Sequence, residues 1–271
     1  MKRIITLIAS CGAMAAATLP SGCATTPVSA VPMKTGVKRL ATLAEVKPDM
    51  VDRCKALYAK PDPCIAAALK SAHIRNHTVY LKKIENKYCL YYYLEYDGCN
   101  FAADMARLDA KPAVKTWRDA CAACMIPVPN VSTAARPWYE AEEVFFTDGA
   151  TTVVPTPAKY SRIGMITGLK PEKEAEYRTL HATTWPGVLK GIADCNLRNF
   201  SITLSEFGGK LYLVGYLEYV GSDNAADDAK GKALPVNKRW WKFTDACQQP
   251  LPAAAAKGGI WDGMEELYHL E

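Results

Sequence analysis

Three side chains carry the first hint of chemistry: Tyr177, His181 and Trp185. Their i, i+4, i+8 spacing would set them along one face of a helix. A phenol beside an imidazole can handle protons, because an imidazole titrates near neutral pH. A lone histidine on an apolar face is more often a hydrogen-bonded core group, and the neighbouring phenol is what argues for chemistry here. Farther along stands Lys238-Arg239-Trp240-Trp241-Lys242. Adjacent helix positions point about 100° apart. One tryptophan is therefore expected in the core, while the other, with Arg239, lines a cavity. The plainer alternative is core packing plus surface charge. Aromatic planes beside a few hydrogen-bonding groups suit a sugar, whose C–H faces stack on rings while its hydroxyls meet polar atoms.

The elements that must hold these residues are written twice. Sliding the chain by 123 residues aligns it with itself without gaps, and about 30 of some 112 positions are identical. Lys47-Pro48 falls on Lys170-Pro171, Arg75-Asn76 on Arg198-Asn199, and Tyr93-Leu94-Glu95-Tyr96 on Tyr216-Leu217-Glu218-Tyr219. Trp117 falls on Trp240, Cys124 on Cys247 and Glu142-Glu143 on Glu265-Glu266. The units run over 37–148 and 160–271, joined by a linker over 149–159. Units of this length are domains rather than solenoid repeats.

In the second unit, residues 160–169 read as a strand. Pro171 opens a helix that runs toward Asp194, with a kink expected at Pro186. Arg198 to Glu206 alternates like a strand, Gly208-Gly209 makes a hairpin turn, and Lys210 to Val220 is a second strand. Helices follow over about 222–232 and 235–247, then a last strand near 264–270. The order is β-α-β-β-α-β, a ferredoxin-like α+β unit. Its helices cover one sheet face, so the other face must be buried. Two units packed sheet to sheet would form a pseudo-dimeric α/β barrel within one chain.

The 271 residues include 49% apolar and 23% charged positions, which excludes extended disorder and collagen-like structure. Formal net charge is +5, of which Lys2 and Arg3 contribute two. Bulk-charge binding of nucleic acid is not expected. The basic start and the apolar run from Ile4 to about Leu19 read as an export signal over 1–22. Gly22-Cys23 fits a bacterial lipoprotein signal, with Cys23 lipidated and 23–36 a tether. The alternative is cleavage after Ala30. The protein is then periplasmic, touching a membrane only through a lipid. Eight cysteines remain besides Cys11 and Cys23. Cys121-Ala-Ala-Cys124 has redox-motif spacing, but no strand–turn–helix context supports that role, and the plainer reading is two small residues one turn apart. Pairing among the cysteines is not readable from spacing. With four histidines, and His73 and His77 on no common helical face with Cys64, no metal site is expected.

The second unit resembles the L-rhamnose mutarotase family, small proteins of the dimeric α/β-barrel type. The resemblance is carried by Glu176-Tyr177-Arg178-Thr179-Leu180-His181, Trp185-Pro186, Arg198-Asn199-Phe200, Arg239-Trp240-Trp241-Lys242 and Glu265-Glu266-Leu267-Tyr268. It implies His181 as proton donor, with Tyr177, Trp240 and Trp241 as sugar contacts. A further contact in the family is a tyrosine at the position of Phe200, whose hydroxyl is missing here. Gly187 stands where the family tends to carry Glu. The first unit departs further, with Cys54, Tyr58, Asp62, His77 and Arg118 at the positions of Tyr177, His181, Trp185, Phe200 and Trp241. It reads as a degenerate site kept as barrel partner, although His77 could replace the lost imidazole from a strand. The resemblance implies an aldose 1-epimerase that exchanges α and β anomers of L-rhamnose or a similar deoxy-sugar, needing no cofactor. The alternative is a non-catalytic sugar-binding or scaffold lipoprotein. Barrels of this type also include oxygenases of quinones and haem.

Overall fold

The computed structural model describes residues 37–128, 137–148 and 160–271. The export signal, Cys23, the tether and the linker expected over 149–159 lie outside the described residues. The first unit contains β1 (Lys38–Val46), α1 (Val51–Ala59), α2 (Pro63–Ser71), β2 (Ile74–Ile84), β3 (Lys87–Tyr96), α3 (Phe101–Asp109), α4 (Pro112–Ala123), the short β4 (Met125–Ile126) and β5 (Trp138–Thr147). The second repeats it with β6 (Ser161–Leu169), α5 (Glu174–Ala182), α6 (Pro186–Asp194), β7 (Leu197–Phe207), β8 (Lys210–Tyr219), α7 (Asn224–Ala233), α8 (Pro235–Cys247), β9 (Gln248–Gln249), the one-turn α9 (Pro252–Ala255), β10 (Asp262–Gly263) and β11 (Glu265–Leu270).

The expected kink at Pro186 is a full break. Pro186 opens a new helix, and Trp185 before it is extended at φ −63° and ψ 136°. A proline excludes its predecessor from helical geometry, so α5 ends at Ala182. Trp185 is therefore off the helix, and the i+8 alignment with Tyr177 and His181 does not hold. Pro63 divides the first unit's helical segment in the same way.

The two sheets join by exchanging their last strands. Residues 138–141 of β5 pair with β1 of the same unit, and residues 142–147 pair with β7 of the other. The terminal stretch does the mirror operation, β10 pairing with β6 and β11 with β2. The strand order β10-β6-β8-β7-β5-β1-β3-β2-β11 thus closes on itself through the single residue between β10 and β11. Closure leaves few exposed edges. Repeated ion pairs fasten both exchanged strands. Arg178 holds Glu142 at 2.8 Å and Lys55 holds Glu265 at 2.7 Å, while Arg39–Glu143 and Arg162–Glu266 form a second matched set. Each exposed pair adds little stability, but together they mark the register.

The barrel interior is packed. Tyr93 and Tyr216 stack with centroids 4.0 Å apart. Tyr80 lies so close to β6 that a β-carbon on Gly164 would come within 2.6 Å of its ring, which is why a side chain is missing there. The Arg-Asn pairs explain themselves here. Both strands shift register at Asn76 and Asn199, which adopt φ of 46° and 45°. Asparagine tolerates this left-handed bulge better than most residues. Asn76 Nδ2 donates to Glu95 and Glu218 Oε1 at 3.1 and 2.8 Å, and Asn199 Nδ2 to the same two oxygens at 2.5 and 2.9 Å. Burial raises the Glu218 carboxyl pKa, against the effect of these donors. With the interior filled, room for a ligand must lie outside the barrel wall, under the helices.

Candidate active site

His181 sits in the last turn of α5. Its ring lies on that of Tyr177, with centroids 4.1 Å apart and 29° between planes, the contact expected of an i, i+4 pair. Nδ1 is 3.1 Å from the Tyr177 carbonyl oxygen. A carbonyl only accepts, so this contact assigns the proton to Nδ1 and the lone pair to Nε2. No described residue hydrogen-bonds Nε2. Burial pushes the imidazole pKa down to about 4, with the carbonyl acting in the opposite sense. At neutral pH the ring is therefore uncharged.

Aromatic edges frame the ring. Trp240 approaches at 5.5 Å and Phe145 at 5.4 Å, both edge-on. Phe145 belongs to β5, so the first unit supplies part of the second unit's site through strand exchange. The Arg178–Glu142 pair ties α5 to that same strand. Phe200 on β7 meets Phe145 edge-on at 5.5 Å.

A cavity of about 430 Å³ opens between the outer sheet face and α5 to α8, lined among others by His181, Tyr177, Phe200, Phe145, Trp240 and Trp241. A shallower recess of about 370 Å³ shares His181, Phe145 and Thr184 with this cavity, and adds Glu143. The tryptophans divide as expected. Trp240 is buried, and Trp241 is 36% exposed at the cavity wall. Arg239 does not line the cavity as expected. Its guanidinium lies 5.2 Å over the Trp185 ring, a cation–π contact that became available once Trp185 left the helix. Trp185 in turn packs on Trp240 at 5.3 Å. It supports the cavity wall at one remove from His181.

α8 turns a polar stripe to the cavity: Asn237, Thr244 and Asp245, continued by Gln248. Burial raises the Asp245 carboxyl pKa, opposed by a hydrogen bond from Thr244. Burial likewise raises that of the Tyr177 phenol, which keeps its proton. The matching positions of the first unit are Val114, Cys121, Ala122 and Met125. Single-unit reading missed this stripe and Phe145. Comparing the copies column by column would have shown the stripe. Phe145 lies 36 positions from His181, and no periodicity connects them.

The first unit is filled where the second is open. Tyr92 stands at the position of Gly215, and its hydroxyl meets that of Tyr58 at 2.8 Å. Leu108, fully buried, stands at the position of Gly231. His77 is buried edge-on to Tyr268 at 5.5 Å. Burial, then the charges of Arg118 and His269, lower its pKa to about 3. Cys54, Cys121 and Cys124 are free thiols inside the helical layer, and Cys54 is pushed up to about 12 by burial and its neighbouring thiols. Cys64, Cys89, Cys99, Cys195 and Cys247 are free as well. Among the described residues no cluster of histidine, cysteine and carboxylate groups is arranged to hold a metal ion. Nor is any helix among them long and apolar enough to cross a membrane.

The sequence pattern of L-rhamnose mutarotase matches the chain twice, over residues 39–147 and 162–270. The chain belongs to the L-rhamnose mutarotase family. It carries two tandem copies of the family's domain, and the pseudo-symmetry of the barrel is the symmetry of that duplication. A curated L-rhamnose mutarotase of Lactiplantibacillus plantarum is 23% identical over 110 residues, spanning 41% of this chain and 98% of that protein. Among solved structures, a candidate monooxygenase of Fusobacterium nucleatum aligns with a TM-score of 0.46 and 11% identity, covering 88% of this chain and 94% of that one. A second, from Lactobacillus acidophilus, aligns at 0.46 and 7% identity over 85% and 95%. Scores of this size do not tie the mutarotase-family chain to the chemistry of either protein.

Proposed function

We propose that the second unit is a sugar mutarotase acting on L-rhamnose or a similar deoxy-sugar, with the first unit as its barrel partner. The observation that carries this reading is the state of His181. The imidazole is neutral, anchored through Nδ1, has no partner for Nε2 among the described residues, and lines an aromatic-walled cavity. Such a ring starts as a base. Nε2 takes the proton of the anomeric hydroxyl while the bond from C1 to the ring oxygen breaks. The ring oxygen takes a proton from a cavity donor, for which the Tyr177 phenol is available. The aldehyde group turns, the ring oxygen attacks its other face, and the protons return. His181 then gives its proton to the new anomeric oxygen, so it is acceptor in one half-reaction and donor in the other. Microscopic reversibility asks this of a group that serves both directions.

The test is anomer exchange, read by saturation transfer between α and β anomeric protons across a panel of aldoses. Wild type should exceed the buffer rate for at least one deoxy-sugar. His181→Ala should lose a factor of about 10² or more, the usual scale for a general acid–base group. Tyr177→Phe should lose less, and Tyr58→Ala in the first unit should stay near wild type. A folded wild type that binds sugars without speeding exchange would replace this reading with a sugar-binding protein.

A further inference from the structure

One buried polar atom of a cavity-lining residue lacks a partner. Asn237 is 8% exposed and lies in the first turn of α8. Its Nδ2 donates to the Gly231 carbonyl at 3.0 Å, which fixes the orientation of the amide. Oδ1 is buried and accepts from nothing among the described residues. A buried carbonyl oxygen without a donor costs free energy, so an occupant that supplies one is favoured.

Two glycines let the neighbouring helices close on this amide. A β-carbon on Gly191 would sit 3.2 Å from Oδ1 and 3.0 Å from Leu234, tighter than ordinary packing. A β-carbon on Gly231 would press Cys195 Sγ at 3.2 Å. All of these except Leu234 line the cavity. The first unit shows the same place with no ligand end. There Asn237, Gly191 and Gly231 become Val114, Ala68 and Leu108, all buried and apolar. The polar atom and the two missing side chains occur together in the unit that keeps the histidine, and are lost together in the unit that does not.

We infer that Asn237 is a specificity-determining residue, whose Oδ1 accepts a hydrogen bond from a hydroxyl of the bound sugar. Trp240, whose ring meets His181 at 5.5 Å, stands three residues along α8 from Asn237, about 4.5 Å of helix axis. The contacted hydroxyl is one other than the anomeric hydroxyl that His181 engages. The Asn237 contact serves binding and orientation, and takes no part in proton transfer. This inference rests on the sugar reading above but is separable from it, because its readout is binding.

The test measures dissociation constants by calorimetry or ligand-observed NMR for wild type, Asn237→Val and Asn237→Asp. The ligands are the tightest-binding sugar of the panel and its derivatives lacking one hydroxyl at a time. Asn237→Val should weaken the parent sugar about tenfold, the scale of one neutral hydrogen bond. Asn237→Asp keeps acceptor oxygens and should lose less. One deoxy derivative should bind wild type and Asn237→Val alike, which identifies the contacted hydroxyl. An Asn237→Val protein that melts like wild type and binds the parent sugar equally would overturn the inference. So would a defect of equal size for every derivative, which a merely structural role produces. A wild type that binds no sugar overturns it as well. Asn237-dependent binding without anomer exchange would sink the mutarotase reading and leave this one standing.

Discussion

Phe145→Ala tests whether a residue of the first unit sets the chemistry of the second. The Phe145 ring is 8% exposed and meets His181 and Phe200 edge-on at 5.4 and 5.5 Å. Truncating a buried phenylalanine costs about 3–5 kcal/mol. This ring faces a cavity on one side, so the low end of about 3 kcal/mol is expected. In a protein of this size each kcal/mol moves Tm by roughly 2–4 °C, giving a fall of roughly 6–12 °C.

The diagnostic effect is on His181. Burial holds its pKa at about 4 instead of the ordinary 6.5. That displacement corresponds to roughly 3 kcal/mol of preference for the neutral ring. Removing Phe145 admits water beside the ring and weakens desolvation, so the pKa must rise. If it recovers most of the way, to about 6, half the imidazole is protonated at about pH 6 and unable to accept the anomeric proton. Wild-type exchange, corrected for the buffer, should then be flat from about pH 8 down to 5.5. The variant should fall about twofold by about pH 6. The assay is the pH profile of exchange beside an NMR titration of the His181 Cε1 proton. A variant whose acid limb and titration coincide with wild type would refute the argument that the exchanged strand keeps this imidazole neutral.

Three further outcomes are expected. His77 has a folded pKa near 3 against about 6.5 unfolded, so the unfolded chain binds more protons between these values. Its contribution to stability is complete above about pH 6.5 and is lost as pH falls toward 3; His77→Phe, the residue of the second unit, should make the decline of Tm between pH 6.5 and 4 shallower, and an unchanged slope on scanning calorimetry would count against it. Gly231→Leu with Cys195→Ala copies the first unit's Leu108 and Ala72 into the cavity, so sugar binding and exchange should vanish while the circular dichroism and Tm remain near wild type. We propose that the mature protein begins at a lipidated Cys23; intact-mass measurement of native protein should show the added lipid, whereas an unmodified start at Val31 would mean a soluble periplasmic form.

The duplication was legible without coordinates, because an offset of 123 residues is a property of the string. So was the α+β order, since the strand and helix periods are local and Gly208-Gly209, Pro171 and Pro235 punctuate them. Tyr177 beside His181 was legible for the same reason: one helical turn separates them, and a turn is local geometry. Trp185 failed because a proline beyond the last turn of a helix can bend it or end it, and the choice depends on what packs there. The strand exchange lay beyond any local signal. Which partner β5 takes is decided by two sheets competing for the same backbone hydrogen bonds, and only their packing settles it. Hence Phe145, from the copy without the histidine, stands against the imidazole and helps to keep it uncharged. Asn237 shows the same division. Its place on α8 is sequence periodicity, but its unpartnered oxygen is set by the packing around it, where Gly191 and Gly231 of two other helices come close. Burial and partner count belong to the assembled layers, and no one segment contains them.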